Sequence, residues 1–173
     1  AINNLAWSYL YLHKIKSQER YLELAIRRGK EALDKFDSFD DDILKNQILN
    51  NLGSAYWYKE QYGDSLESFK KALEYRKNDP KTLNNIASAY VQLGRWELVE
   101  KYLHEAEIMA DRTDNHFEKG QTYVILAELS EQREDYSRAV DYYEVALDVF
   151  SEGNVLVETY ECFDNILRLK EKV

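Results

Sequence analysis

The chain has 173 residues and a net charge of −9, with 32% of residues charged and 45% hydrophobic. That is the profile of a globular domain with room for one core, and the acidic balance argues against a general nucleic-acid binder. Six Gly and one Pro are too few for an all-β protein full of tight turns, and no apolar run approaches the roughly 20 residues that cross a bilayer.

The charge is uneven. Residues 1–96 carry 15 basic and 13 acidic side chains, residues 97–173 carry 8 and 19, so any surface in the second part is expected to prefer a basic partner. Residues 1–16 hold no basic-then-apolar leader, and the single cysteine, Cys162, excludes an internal disulfide. A reducing cytoplasm is the expected location, with no membrane and no direct nucleic acid as partner. Cys162 lies among Tyr160, Phe163, Ile166 and Leu167 and is expected to be a buried structural thiol.

Helical periodicity runs along nearly the whole chain. In residues 1–45, Leu5, Ala6 and Tyr9 mark a first helix, and Leu22, Ala25, Gly29 and Ala32 mark a second. The run Asp37 to Asp42 closes this unit, with Asp40 to Asp42 placed to cap the next helix. Residues 46–79 divide into helices over about 43–60 and 62–77, marked by Leu52, Gly53 and Tyr56, then Phe69 and Ala72. Pro80 fits a first helical turn, where its missing N–H costs nothing. Residues 80–119 repeat the layout through Ile86, Ala87, Tyr90, Gly94, Trp96, Leu103 and Ala106, with Gly94 at a left-handed turn. Ala127, Asp135, Tyr136, Ala139, Tyr143 and Ala146 do the same in 120–153. The six extra residues in 80–119 predict a longer second helix through Met109-Ala110 and a longer turn containing Thr113-Asp114-Asn115. Residues 154–171 read as one final amphipathic helix. Small residues on first helices (Gly53, Ala87, Ala127) are expected to face Ala72, Ala106 and Ala146 on second helices.

One tripeptide recurs in phase. Asn3-Asn4-Leu5, Asn50-Asn51-Leu52 and Asn84-Asn85-Ile86 are each followed by a small residue and then by Tyr9, Tyr56 or Tyr90. The last two copies lie 34 residues apart, the period of a helix-turn-helix array. With these residues the pattern Leu-Gly-x-x-Tyr, Phe-x-x-Ala, Pro resembles the tetratricopeptide repeat, closely in the units from Asn46 and Pro80, in the second half of the unit from Gly120, and loosely in the first. The resemblance implies an all-α superhelical solenoid of about four helix pairs (1–45, 46–79, 80–119, 120–153) with a capping helix at 154–171, all in one repeat domain, 1–173. The Asn-Asn-Leu-Ala form and the long units also resemble kinesin light chains. The irregular unit lengths and final helix look more like the repeat domains of bacterial peptide-sensing regulators.

In that family the first helices line a concave groove. Carried over residue by residue, the groove would receive Asn3, Trp7, Leu10 and Tyr11, then Asn50, Asn51, Ser54, Trp57 and Tyr58. Lys81, Asn84, Asn85, Ser88 and Gln92 follow, then Gln121, Glu128, Glu131 and Gln132. The implied function is non-catalytic protein or peptide binding, as the sensor or adaptor domain of a regulator. Carboxamides match the C=O and N–H of a peptide backbone, the Trp and Tyr side chains would anchor an apolar group, and Glu128 with Glu131 would draw a basic end of the ligand. Chaperone-tail binders of the family use a Lys/Asn/Lys/Arg set; Asn51 and Lys81 match two members, while Asn3, Trp7 and Asn85 replace the others, which argues against that ligand.

Chemistry is not encoded. His13, His104 and His116 have no metal-ligand spacing, no glycine-rich phosphate loop exists, and the carboxylate pairs lie on helix faces that are charged in any soluble helix. No cofactor, metal or catalytic residue is expected, and the chain is not read as an enzyme. The competing class is a scaffold or homo-oligomer that self-associates through an end helix or outer face, with the Asn pairs as stacking residues. An accessory domain of an enzyme or phosphatase would need a catalytic part elsewhere.

Overall fold

The computed structural model describes residues 8, 9, 11, 18–36 and 41–173, and among them lie eight α-helices and no strand. Asn3, Asn4, Leu5, Ala6, Trp7, Leu10 and Asp37 to Asp40 fall outside the described residues. The helices are α1 (Glu19–Phe36), α2 (Asp42–Tyr58), α3 (Tyr62–Tyr75), α4 (Pro80–Gln92), α5 (Trp96–Arg112), α6 (His116–Gln132), α7 (Tyr136–Glu152) and α8 (Leu156–Lys170). The fold is all-α and made of successive helix hairpins, as the repeat predicts.

Local chemistry sets the helix starts. A side-chain oxygen of Asp41, Asp79, Asn115 or Asp135 accepts the backbone N–H of Leu44, Thr82, Glu118 or Arg138, three residues on. Each bond satisfies one of the N–H groups that a helix start leaves without a partner. Pro80 is the first residue of α4.

Five of the stops share one geometry. At Glu60, Gly94, Asp114, Glu134 and Asn154 the backbone turns left-handed, with φ of 59°, 65°, 51°, 58° and 55°. In each turn the next N–H bonds back to the carbonyl five residues earlier, as in Gln61 to Tyr56 (3.0 Å), Arg95 to Tyr90 (3.0 Å) and Val155 to Phe150 (2.8 Å). Only Gly94 takes this conformation without a Cβ penalty. The long unit comes from its helix, since α5 has 17 residues and α3 has 14; the turn at residues 113–115 is no longer than those at 93–95 and 133–135, so the expected longer turn is corrected.

The described residues form two compact units, divided between Arg95 and Trp96. In the first, α2 touches α1, α3 and α4. A helix with neighbours on several sides must bury residues around much of its girth, and α2 buries Asn46, Ile48, Leu49, Asn50, Leu52, Gly53 and Ala55. The partner of Gly53 is the Phe69 ring, one turn before Ala72: a Cβ on Gly53 would lie 2.5–2.9 Å from three ring atoms. Phe150 lies as close to Gly120 in the second unit, at 2.3–2.6 Å.

In the second unit Ala127, Ala139, Val140, Tyr143, Ala146, Phe150, Cys162, Ile166 and Leu169 form one buried cluster. Burial pushes the Cys162 thiol up to about 11, which leaves it a packing group rather than a nucleophile. The inner face of α8 covers this core, while Leu156, Tyr160, Phe163 and Leu167 stay at least half exposed on its other side. Leu167 is the twelfth residue of α8, as Gly53 is of α2 and Ala127 of α6. A leucine in the place of a small residue prevents the close approach those helices allow their successors. Among the described residues no helix is long and apolar enough to cross a membrane.

Candidate functional site

Consecutive residues on an α-helix point about 100° apart, so an Asn-Asn pair cannot present both amides in one direction. In the first unit the pairs divide accordingly. Asn50 and Asn84 are 3% exposed, while Asn51 and Asn85 are half-buried. The expectation that all four face a ligand is corrected for Asn50 and Asn84, which neighbouring helices cover.

Asn50 takes the stacking role of the competing reading, in a network whose other members, Asn46, Thr82 and Asp79, sequence reasoning did not identify. Its Nδ2 donates to Thr82 Oγ1 at 2.8 Å and to the Asn46 carbonyl at 3.1 Å. Asn46 Nδ2 donates to the Ala72 carbonyl at 3.1 Å and to Thr82 Oγ1 at 3.2 Å. The Thr82 hydroxyl in turn donates to Asp79 Oδ2. Three helices are thereby tied by buried polar groups, each of which finds a partner. The clue was Asn46 itself, one turn before Asn50, at a position that repeats as Pro80 and Gly120 and so carries no repeated amide.

Asn85 joins this network to the surface. Its Nδ2 donates to Asn50 Oδ1 at 3.0 Å, leaving its own oxygen and second N–H for another group. Beside it lies a cavity of about 160 Å³ lined by Ser54, Trp57, Tyr58, Phe69, Asn85 and Ser88. Five of these lie at expected site positions or their equivalents on α2 and α4; Phe69 of α3 was read only as a packing residue. Trp57 meets Tyr58 edge to face, with centroids 5.4 Å apart, and Tyr62 at 6.2 Å. Burial raises the Tyr62 hydroxyl above the usual phenol range. Trp57 Nε1 is buried and has no hydrogen-bond acceptor among the described residues, a condition that costs about 1–3 kcal/mol. Lys81 and Gln92 are exposed on α4 and do not line the cavity.

In the second unit Gln121 is half-buried, and Glu128 and Gln132 are exposed, all on α6. Glu131 is already engaged by its own chain. Arg168 Nη2 of α8 donates to both carboxylate oxygens at 2.9 Å, and the Tyr143 hydroxyl donates at 3.0 Å. The expected acidic pair is therefore asymmetric, with a basic group built in beside Glu131. Glu128 reaches solvent, yet the surrounding protein displaces enough water to push its carboxyl up to about 7, with the Glu131 charge adding to the effect. Asn3 and Trp7 lie outside the described residues. Among the described residues no group of three or more His, Cys, Asp or Glu side chains is placed to hold a metal ion.

These hairpins, with small residues under aromatic rings and left-handed turns between helices, define a helical-repeat protein. Tetratricopeptide repeat models match residues 79–152 and residues 53–94. The chain belongs to the tetratricopeptide repeat family, whose members are generally non-catalytic protein-interaction modules.

It is 33% identical over 81 residues to the DnaJ homolog subfamily C member 3 homolog of Dictyostelium discoideum, a stretch covering 46% of this chain and 15% of that protein. It is 28% identical over 117 residues to small glutamine-rich tetratricopeptide repeat-containing protein 2 of Mycosarcoma maydis, covering 68% of this chain and 32% of that one. The chain thus spans about a third or less of the length of these curated relatives. Among solved structures, a Rap protein complexed with competence and sporulation factor superposes with a TM-score of 0.74 at 18% identity, over 96% of this chain and 52% of that chain. At that identity the shared property is the fold, a TPR-like helical solenoid.

Proposed function

We propose that the chain is a non-catalytic recognition module, acting in the cytoplasm, that holds an extended peptide or protein segment on the open faces of its first helices. In the first unit the contact surface is Asn51, Ser54, Trp57 and Tyr58 of α2 with Lys81, Asn85, Ser88 and Gln92 of α4. In the second, Gln121 and Glu128 of α6 offer a separate polar face, and Glu128 attracts a basic group once it is ionised. The observation that carries this reading is Asn85. One N–H anchors it to Asn50, so a rigid amide presents an acceptor and a donor beside an aromatic-walled cavity. A carboxamide held in that way pairs with a peptide unit at little entropic cost, and each such net bond contributes about 0.5–1.5 kcal/mol. The Rap protein solved with competence and sporulation factor shares this fold, which supports a sensor or adaptor role within a regulator.

The test is selection of displayed random peptides on the whole chain, followed by binding to a Ser54→Arg/Ser88→Arg variant that places two long side chains on this face. Selected peptides should bind the variant at least about tenfold more weakly, with its helical circular dichroism and melting intact. Equal binding to both proteins, or a failure to select any peptide, refutes the reading.

A further inference from the structure

The cavity between α2, α3 and α4 has a lining that specifies what enters it. We infer that it is an anchor pocket for one uncharged apolar side chain of the bound segment, of phenylalanine or leucine size, seated with its backbone amide against Asn85. This rests on the reading of the first-helix faces as a peptide surface, and it adds the chemical class of the residue selected there.

Three observations carry it. Among the described residues no charged group lines the cavity: its walls are the rings of Trp57, Tyr58 and Phe69, and its polar groups are Ser54, Ser88 and Asn85. A carboxylate brought between three rings and two hydroxyls would lose water without gaining a counter-charge, and an ammonium would recover only about 2 kcal/mol from the ring faces, less than the hydration it loses, whereas an apolar group gains by leaving water. The size fits as well. A cavity of about 150 Å³ takes a benzene ring, and this one measures about 160 Å³.

The third observation is the lack, among the described residues, of an acceptor for Trp57 Nε1. The orphan donor lies on the residue that forms a cavity wall, next to the segment's expected path. In the proposed complex a peptide carbonyl beside the anchor side chain is offered to this N–H. The pocket is also preformed. Phe69 is held by its contact with Gly53, and Asn85 by its bond to Asn50. Little ordering is left to oppose binding.

The probes are N-acetyl-phenylalaninamide, N-acetyl-leucinamide, N-acetyl-lysinamide and N-acetyl-aspartamide, titrated into the whole ¹⁵N-labelled chain. The readouts are the Trp57 indole N–H, assigned by Trp57→Phe, and the Asn85 side-chain amide. The phenylalanine and leucine amides should shift both signals with millimolar affinity, as expected for about a dozen non-hydrogen atoms in an open site. The lysine and aspartate amides should bind at least tenfold more weakly. Ser88→Phe, which fills the cavity from its rim, should abolish the shifts while melting remains within a few degrees.

Equal responses to charged and uncharged amides, or no response at all, overturn the anchor-pocket inference. If displayed peptides still bind and still fail on the Ser54→Arg/Ser88→Arg variant, the broader peptide-surface reading survives that loss. If neither the amides nor the peptides bind, both fall.

Discussion

Replacing Thr82 with valine removes one hydroxyl from the middle of the first unit and changes almost nothing in shape. Thr82 is wholly buried. Its hydroxyl accepts from Asn50 Nδ2 at 2.8 Å and from Asn46 Nδ2 at 3.2 Å, and it donates to Asp79. Each neighbour keeps a second partner: the Asn46 carbonyl for Asn50, the Ala72 carbonyl for Asn46 and the Thr82 N–H for Asp79. Each of these atoms keeps one bond, and the cost counted is that of the three bonds lost. Two neutral bonds at about 1 kcal/mol each and one to a carboxylate at about 2, offset by roughly 1 for the added methyl, give a net cost of about 3 kcal/mol. For a chain of this length that lowers Tm by about 6–12 °C. Urea unfolding of wild type, Thr82→Val and Thr82→Ser is the assay. Serine keeps the hydroxyl and loses a buried methyl, at a cost of about 1 kcal/mol. The network therefore ranks serine above valine. If Thr82 served packing alone the order would reverse, and that reversal would refute the reasoning.

Glu134 sits at φ 58° in the turn between α6 and α7, a conformation that costs a non-glycine residue about 1–2 kcal/mol. Glu134→Gly should raise stability by about 0.5–1 kcal/mol after the added flexibility of the unfolded chain is counted, and Gly94→Ala should lower it by a similar amount, both read by denaturant midpoints. Glu128 gives a pH signature. Its folded carboxyl titrates near 7, above the unfolded value of about 4.3. The stability it contributes is therefore fully present below that unfolded value and lost as pH rises through about 7. Glu128→Gln, uncharged throughout, should match wild type near pH 4 and exceed it above pH 8, with the difference opening between those limits. A pH-independent difference between the two proteins would show that burial does not hold the Glu128 proton.

Much of the candidate site was legible because the repeat marks it twice. The spacing of Asn50 from Asn84, with Ser54 and Ser88 following each pair by the same interval, places like residues at like positions on α2 and α4. What the repeat leaves undecided is coverage. Asn50 and Asn51 are neighbours in sequence with identical chemistry, and only the approach of α4 determines that the first is buried and the second half-buried. The same limit applies to Glu131. Its Arg168 partner lies 37 residues away, on a helix whose rotation about its axis no local pattern fixes.

The sequence by itself determined that the chain is helical, where the helices start and stop, and which family it belongs to. Those properties are local: apolar periodicity, a capping Asp or Asn before each of four helices, and Pro80 in a first turn act over a few residues. Tertiary structure alone decided which polar groups the protein uses internally and which it leaves open. A buried amide must find its partner on another helix or forfeit its hydrogen bonds. The pairing of Asn46 and Asn50 with Thr82, the seating of Phe69 on Gly53, and the cavity that these contacts leave beside Trp57 all depend on side chains brought together from three separate helices.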